Sequence, residues 1–210
     1  MNQPRIQGRH AGLNRDQILE AAVALIDAEG RRALSMRRLA QELGVEAMTL
    51  YHYVRNKGAL EDAIVEHVLA ESVEEPDGDG SWQEVLADYA RALHRGLLAH
   101  PGVVPLFATR PALTPRGVRT LEDLLGILTD AGFTPRTALT MVHATAACVL
   151  GQHVGRGDED AEEATASALP AGEDLPLMRA ALADGVPGLE ERFQIVLTAL
   201  VSGYEATLSG

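Results

Sequence analysis

The chain has a single cysteine among its 210 residues, Cys148. One sulfur excludes an intramolecular disulfide and any thiolate metal cluster. Because Cys148 lies in an apolar helical stretch, a buried small hydrophobe is the expected role rather than a redox sensor. No apolar run approaches the roughly 20 residues that span a bilayer, and the first residues are polar without an apolar signal segment, which predicts a cytoplasmic protein. A GxSxG elbow, a phosphate-cradling glycine loop and an HExxH pair are all missing, so the sequence does not read as an enzyme. Base is scarce too. With 18 Lys+Arg against 30 Asp+Glu the formal net charge is −12, which argues against indiscriminate adhesion to nucleic acid.

What base there is lies at one end. Residues 1–57 hold nine Lys+Arg and six Asp+Glu, a net of +3, and the remainder holds nine and 24, a net of −15. Arg5, Arg9 and His10 precede the first acid, Asp16, which suits a basic arm over residues 1–13 reaching for phosphate or minor groove; a frayed terminus is the plain alternative.

Within the basic part, SMRRLAQELGVEAMTLYHYVRNK, residues 35–57, carries two short helical patterns joined at Gly44-Val45. Ser35 is placed to cap the first, with Leu39, Ala40 and Leu43 inward and Arg37, Arg38, Gln41 and Glu42 outward. Gly44 supplies a positive φ, and Glu46 to Tyr53 is expected to form a second helix barely two turns long. Its outward residues are Ala47, Met48, Thr49 and His52. So short a helix needs packing through Val45, Leu50 and Val54, and the packing leaves its other side open to a groove. Upstream, Asn14 and Gln17 form a capping box for a helix ending at Glu29-Gly30, and downstream Asn56 caps another running toward Glu74. A helix-turn-helix is expected over residues 14–60.

Beyond residue 75 the pattern is helix after helix, and the fold class expected is all-α. Ser81 and Glu84 make a second capping box, Thr114-Pro115 and Thr134-Pro135 open two further helices, and a last helix is expected from Pro187 to about Leu208. Residues 155–176 hold seven acids between Asp158 and Asp174 and are expected to form a mobile acidic loop. Their spacing lacks the ligand order of a calcium loop. The last helix has one stripe through Leu189, Phe193, Val196, Leu197, Leu200 and Tyr204, with Ile195, Val201 and Leu208 apolar on other sides.

Residues 13–64, with LNRDQILEAAVALIDAEG, LSMRRLAQELGVEAMTLYHYVRNKGAL and EDAI in unbroken order, resemble the N-terminal domain of TetR-family transcriptional repressors. SWQEVLADYARAL, the ATRP at 108–111, the TLEDLL at 120–125 and the CVLGQ at 148–152 resemble the subclass containing the tetracycline repressor. The resemblance implies a DNA-binding helix-turn-helix followed by a larger helical domain, residues 61–210, for ligand binding and dimerisation. It implies that Ser35, Met36 and Arg37 stand at the mouth of the major groove and that Ala47 and Met48 make apolar contact with bases. Thr49, Tyr51, Tyr53 and Lys57 suit phosphates, because hydroxyls and an ammonium bond backbone oxygens without reading sequence. For Tyr51 partial core packing, and for Lys57 a solvated helix start, are the plain alternatives. His52 stands where the tetracycline repressor has Trp. Two helices pairing with their symmetry mates imply a homodimer on a palindromic operator.

The resemblance also implies a pocket for a small-molecule inducer. Its lining is expected from Tyr89, Leu93, Leu106, Phe107, Arg110, Leu124, Leu125, His143 and Ala147, mostly apolar with few polar anchors, which suits an apolar or aromatic molecule. The magnesium-holding histidine of the tetracycline repressor aligns with Leu106, so a magnesium-borne drug is disfavoured and no metal or cofactor is expected. A DNA-binding regulator without an inducer is the alternative reading.

Overall fold

Asn14 and Gln17 close a reciprocal cap at the start of the first helix: the Gln17 amide donates to Asn14 Oδ1 at 2.8 Å and the Asn14 amide to Gln17 Oε1 at 3.0 Å. That satisfies two of the amides that a helix start leaves unpaired. The computed structural model describes residues 13–72, 80–109, 114–154, 174–183, 185 and 187–208, and among them every regular element is helical, in agreement with the all-α expectation. The helices are α1 (Arg15–Glu29), α2 (Met36–Glu42), α3 (Ala47–Leu50), α4 (Lys57–Ser72), α5 (Trp82–Ala99), α6 (Val104–Phe107), α7 (Pro115–Asp130), α8 (Pro135–His153), α9 (Pro176–Ala181) and α10 (Leu189–Leu208). The expected basic arm, apart from residue 13, and the acidic stretch at 155–173 lie outside the described residues. No described helix is long and apolar enough to cross a membrane.

The remaining caps follow the same chemistry. Ser35 Oγ accepts from the Arg38 amide, Asn56 Oδ1 from the Ala59 amide, Thr114 Oγ1 from the Gly117 amide and Thr134 Oγ1 from the Thr137 amide. Gly44 takes φ 66° between α2 and α3, the left-handed region that a β-carbon penalises.

The chain forms two compact units, Met1–Glu75 with Arg95–Asp123, and Pro76–His94 with Leu124–Gly210. The first unit keeps all of α4 and takes in residues 95–123 from the end of α5 onward. Val103 and Leu106 are fully buried in one cluster with Ile18, Ile26, Leu39 and Ile64, and Phe107 packs against it. Gly102 permits the approach: a β-carbon there would lie 2.7 Å from the Ile26 carbonyl oxygen and 2.8 Å from Asp27 Cα. In the second unit α8 and α10 pack together, Phe193 and Leu197 are buried, and Trp82 meets Phe133 edge-on with ring centroids 5.0 Å apart.

Candidate DNA-reading head and ligand-binding unit

The tip of the head is one of its shortest elements. α3 is a single turn, Ala47–Leu50, shorter than the Glu46–Tyr53 helix expected. After it the chain tightens: the His52 amide donates to the Thr49 carbonyl and the Tyr53 amide to the Leu50 carbonyl, three residues back. A helix of one turn has no stability of its own. It is held by burial of Leu50 and Val54, by packing of α2 on α3, and by partial burial of Val45 and Ala47 against the same core.

That anchoring sorts the candidate DNA residues. Arg37, Met48, Tyr51, His52 and Tyr53 are exposed, Met48 at 69%. Ala47 and Thr49 are half-buried, Met36 is buried in the core, and Ser35 has its hydroxyl in the α2 cap. Met36 thus contributes to packing under the surface rather than to the surface itself.

The two adjacent arginines have separate fates. Arg38 bridges α1 and α2, with Nη2 2.6 Å from Glu29 Oε1 and Nη1 2.7 Å from Glu42 Oε2. Arg37 makes no hydrogen bond or ion pair among the described residues, and its fork is open to solvent. Nothing in the RR pair itself distinguishes them; the register of α2 does.

Tyr53 and Lys57 each have a structural partner. The Tyr53 hydroxyl donates to the Leu13 carbonyl at 2.8 Å, and the Lys57 ammonium donates to the Leu34 carbonyl at 2.5 Å and stands 3.9 Å from Glu61. An ammonium has three N–H groups, so Lys57 retains a donor for phosphate, with its side chain 44% exposed. Glu61, almost fully buried, also faces Arg31 at 3.3 Å, and Arg31 Nη1 donates to Thr109. Periodicity had no means of finding these ties, which join positions 30 and 78 residues apart. Arg55 is a further exposed cation of the motif, legible as a charge among its last residues.

The candidate pocket residues fall in different places. Tyr89 and Leu93 lie on α5 and Leu124 and Leu125 on α7; Leu93 is buried and the other three half-buried. Burial pushes the Tyr89 phenol above its ordinary pKa, so it stays a neutral hydroxyl through the physiological range. His143 and Ala147 are exposed on α8, as an outward face would be. Leu106 and Phe107 belong to the core of the first unit, and Arg110 lies outside the described residues. Leu106 offers no ligand atom and is fully buried, so the residues present do not fit a magnesium ion held at that position.

Unforeseen in the sequence is a polar chain in the second unit that runs from two buried histidines to an exposed carboxylate. His153 Nε2 lies 3.0 Å from His94 Nδ1, and His94 Nε2 3.1 Å from Glu190 Oε2. The His94 ring stacks on Phe193 at 4.0 Å between centroids. The Glu190 carboxyl is held below its ordinary pKa, first by its bond from Gln194 and then by His94.

Comparison with known proteins matches both parts. Residues 18–64 fit the model of bacterial regulatory proteins of the tetR family, and residues 75–208 that of the tetracyclin repressor-like C-terminal domain. The class D tetracycline repressor of Escherichia coli is 34% identical over 204 residues, covering 95% of this chain and 92% of that protein. The crystal structure of ActR from Streptomyces coelicolor in complex with actinorhodin superposes with a TM-score of 0.77 at 28% identity, covering 94% of this chain and 99% of that one. A TetR variant from Acinetobacter baumannii AYE in complex with minocycline gives 0.72 at 26% identity, covering 94% and 96%.

Proposed function

The chain belongs to the tetR family of bacterial regulatory proteins, and from that premise we propose that it is a ligand-responsive repressor that binds a palindromic operator as a homodimer in the cytoplasm. The observation that carries the DNA-binding part is the contrast within α2 and α3: Leu39 and Leu50 are fully buried, while Arg37 and Met48 stand outside them, exposed and without a polar partner among the described residues. A guanidinium fork suits the paired acceptors of guanine, and the Met48 thioether chain suits a thymine methyl. Thr49, Tyr51, Tyr53, His52, Arg55 and Lys57 supply hydroxyls, an imidazole and cations for the flanking phosphates.

Dimerisation is supported by the outward sides of α8 and α10, where His143, Ala147 and Ile195 are exposed, the last at 59%. A single one-turn reading helix grips too little DNA, and two related by a twofold axis read two half-sites.

Release follows from linkage. A ligand that prefers one separation of the heads and an operator that prefers another weaken each other by the same factor. The inducer class is an apolar or aromatic organic molecule: relatives of this chain have been crystallised with actinorhodin and with minocycline, and the candidate residues that lie at least half-buried in the second unit are Tyr89, Leu93, Leu124 and Leu125.

Fluorescence anisotropy with the duplex upstream of the protein's own gene tests the proposal. Salt-dependent binding that survives excess random duplex is expected, and equal affinity for random and upstream DNA would reject it.

A further inference from the structure

Gln152 is the one side chain of the second unit whose amide oxygen and amide nitrogen are both buried with no hydrogen-bond partner among the described residues. A buried amide normally finds partners, because its desolvation is otherwise uncompensated. Its position sharpens the point. Thr145, Val149 and Gln152 fall at i, i+4 and i+7 on α8, a single helix face, and both Thr145 and Val149 are buried. Next along the chain His153 enters the His94–Glu190 chain, whose stacked and bonded rings fix this end of α8 in place. Both polar atoms of the amide are therefore out of solvent on a packed helix, although the residue as a whole is half-buried, in the unit read above as ligand-binding.

We propose that Gln152 is a ligand anchor, and that it takes an uncharged, largely apolar molecule carrying a hydrogen-bond donor and an acceptor side by side, as on the edge of a lactam, an imide or a protonated carboxylic acid. The amide presents an acceptor and a donor on one planar group, so its complement is a planar edge with the same two functions reversed. A charged ligand end is not matched, since the amide carries no charge to repay the ion's desolvation. The inference rests on the second unit being the ligand-binding one, and it adds the polar group that orients the occupant.

The test uses the full chain, with Gln152→Met, which keeps the length and removes both polar atoms, and Gln152→Leu as a second variant. Thermal melting is measured alone, with 2-quinolone, and with 1-methyl-2-quinolone, which has the same rings but no donor. The expected result is that both variants melt at or above the parent's temperature, because an unpaired polar group has been removed. 2-Quinolone raises the parent's melting temperature, 1-methyl-2-quinolone does not, and neither compound shifts the variants. Variants melting several degrees below the parent would mark Gln152 as a structural side chain bonded to fixed water, and overturn the proposal. Equal shifts by the two quinolones, equal shifts in parent and variants, or no shift in the parent would overturn it as well. Operator binding by the parent, measured separately, reports on the regulator reading whatever the outcome here.

Discussion

Asp27, near the end of α1, holds the chain that follows α5 through both of its carboxylate oxygens: Oδ2 lies 2.8 Å from His100 Nδ1, and Oδ1 accepts from the Gly102 amide at 3.0 Å. The carboxylate thereby fixes the segment whose Val103 and Leu106 complete the core of the head. Asp27→Ala is expected to destabilise the protein by about 1–3 kcal/mol, the usual cost of removing a charged acceptor from two partners. Urea unfolding at neutral pH measures it, and an unchanged midpoint would rule out the latch.

Glu84 reads out the cap of α5. Its carboxyl is pulled below its ordinary pKa of 4.5 chiefly by the bond from the Ser81 amide and next by the Ser81 hydroxyl. A carboxyl with a lowered folded-state pKa stabilises above its unfolded value, and the contribution fades as pH falls through the folded one. Glu84→Gln is accordingly expected to be less stable than the parent at pH 7 by an amount that shrinks only below about pH 4.5. Paired denaturation curves from pH 3 to pH 7 provide the check, and a gap independent of pH would contradict it.

Arg37 and Lys57 are expected to fail differently. Arg37→Ala, with no partner to lose among the described residues, should leave folding stability unchanged and relax base preference at one position per half-site, at a cost of about 1–3 kcal/mol. Lys57→Ala should weaken all sequences alike and lower the salt slope by about 1, with some loss of stability from the Leu34 carbonyl it bonds. Binding to a set of singly altered duplexes, repeated across salt concentrations, separates the two; an unaltered preference in the Arg37 variant would remove it from base reading.

Ile195 tests assembly better than the half-buried Leu200 on the same helix. Because Ile195 is 59% exposed in the single chain, Ile195→Asp should leave the fold intact while placing a charge in the paired interface, and the variant should sediment as a monomer with weakened operator binding. A dimer of undiminished strength would move the interface elsewhere.

Much of the fold was legible because capping and periodicity are local. Asn14 with Gln17, Ser81 with Glu84, and the prolines at the starts of α7 and α8 each act within one turn, and each is found where the spacing places it. α3 is shorter than its pattern because residues 52 and 53 bond three residues back, with Leu50 and Val54 held in the core, and no short window of sequence contains that packing. The Asp27–His100 latch, the Arg31–Glu61 pair and the His94–His153 chain were illegible for the same reason: partners 30 to 73 residues apart leave no periodic trace. Leu106 and Phe107 were placed by resemblance in a pocket, yet apolar residues carry no mark that separates lining from core.

A reading helix one turn long also bears on how this regulator can change. Leu50 alone of its four residues is fully committed to the interior, whereas Met48 projects into solvent and touches little that folding requires. Substitutions at the tip can retarget the repressor to a new operator at almost no thermodynamic penalty, while the pedestal beneath it tolerates very few.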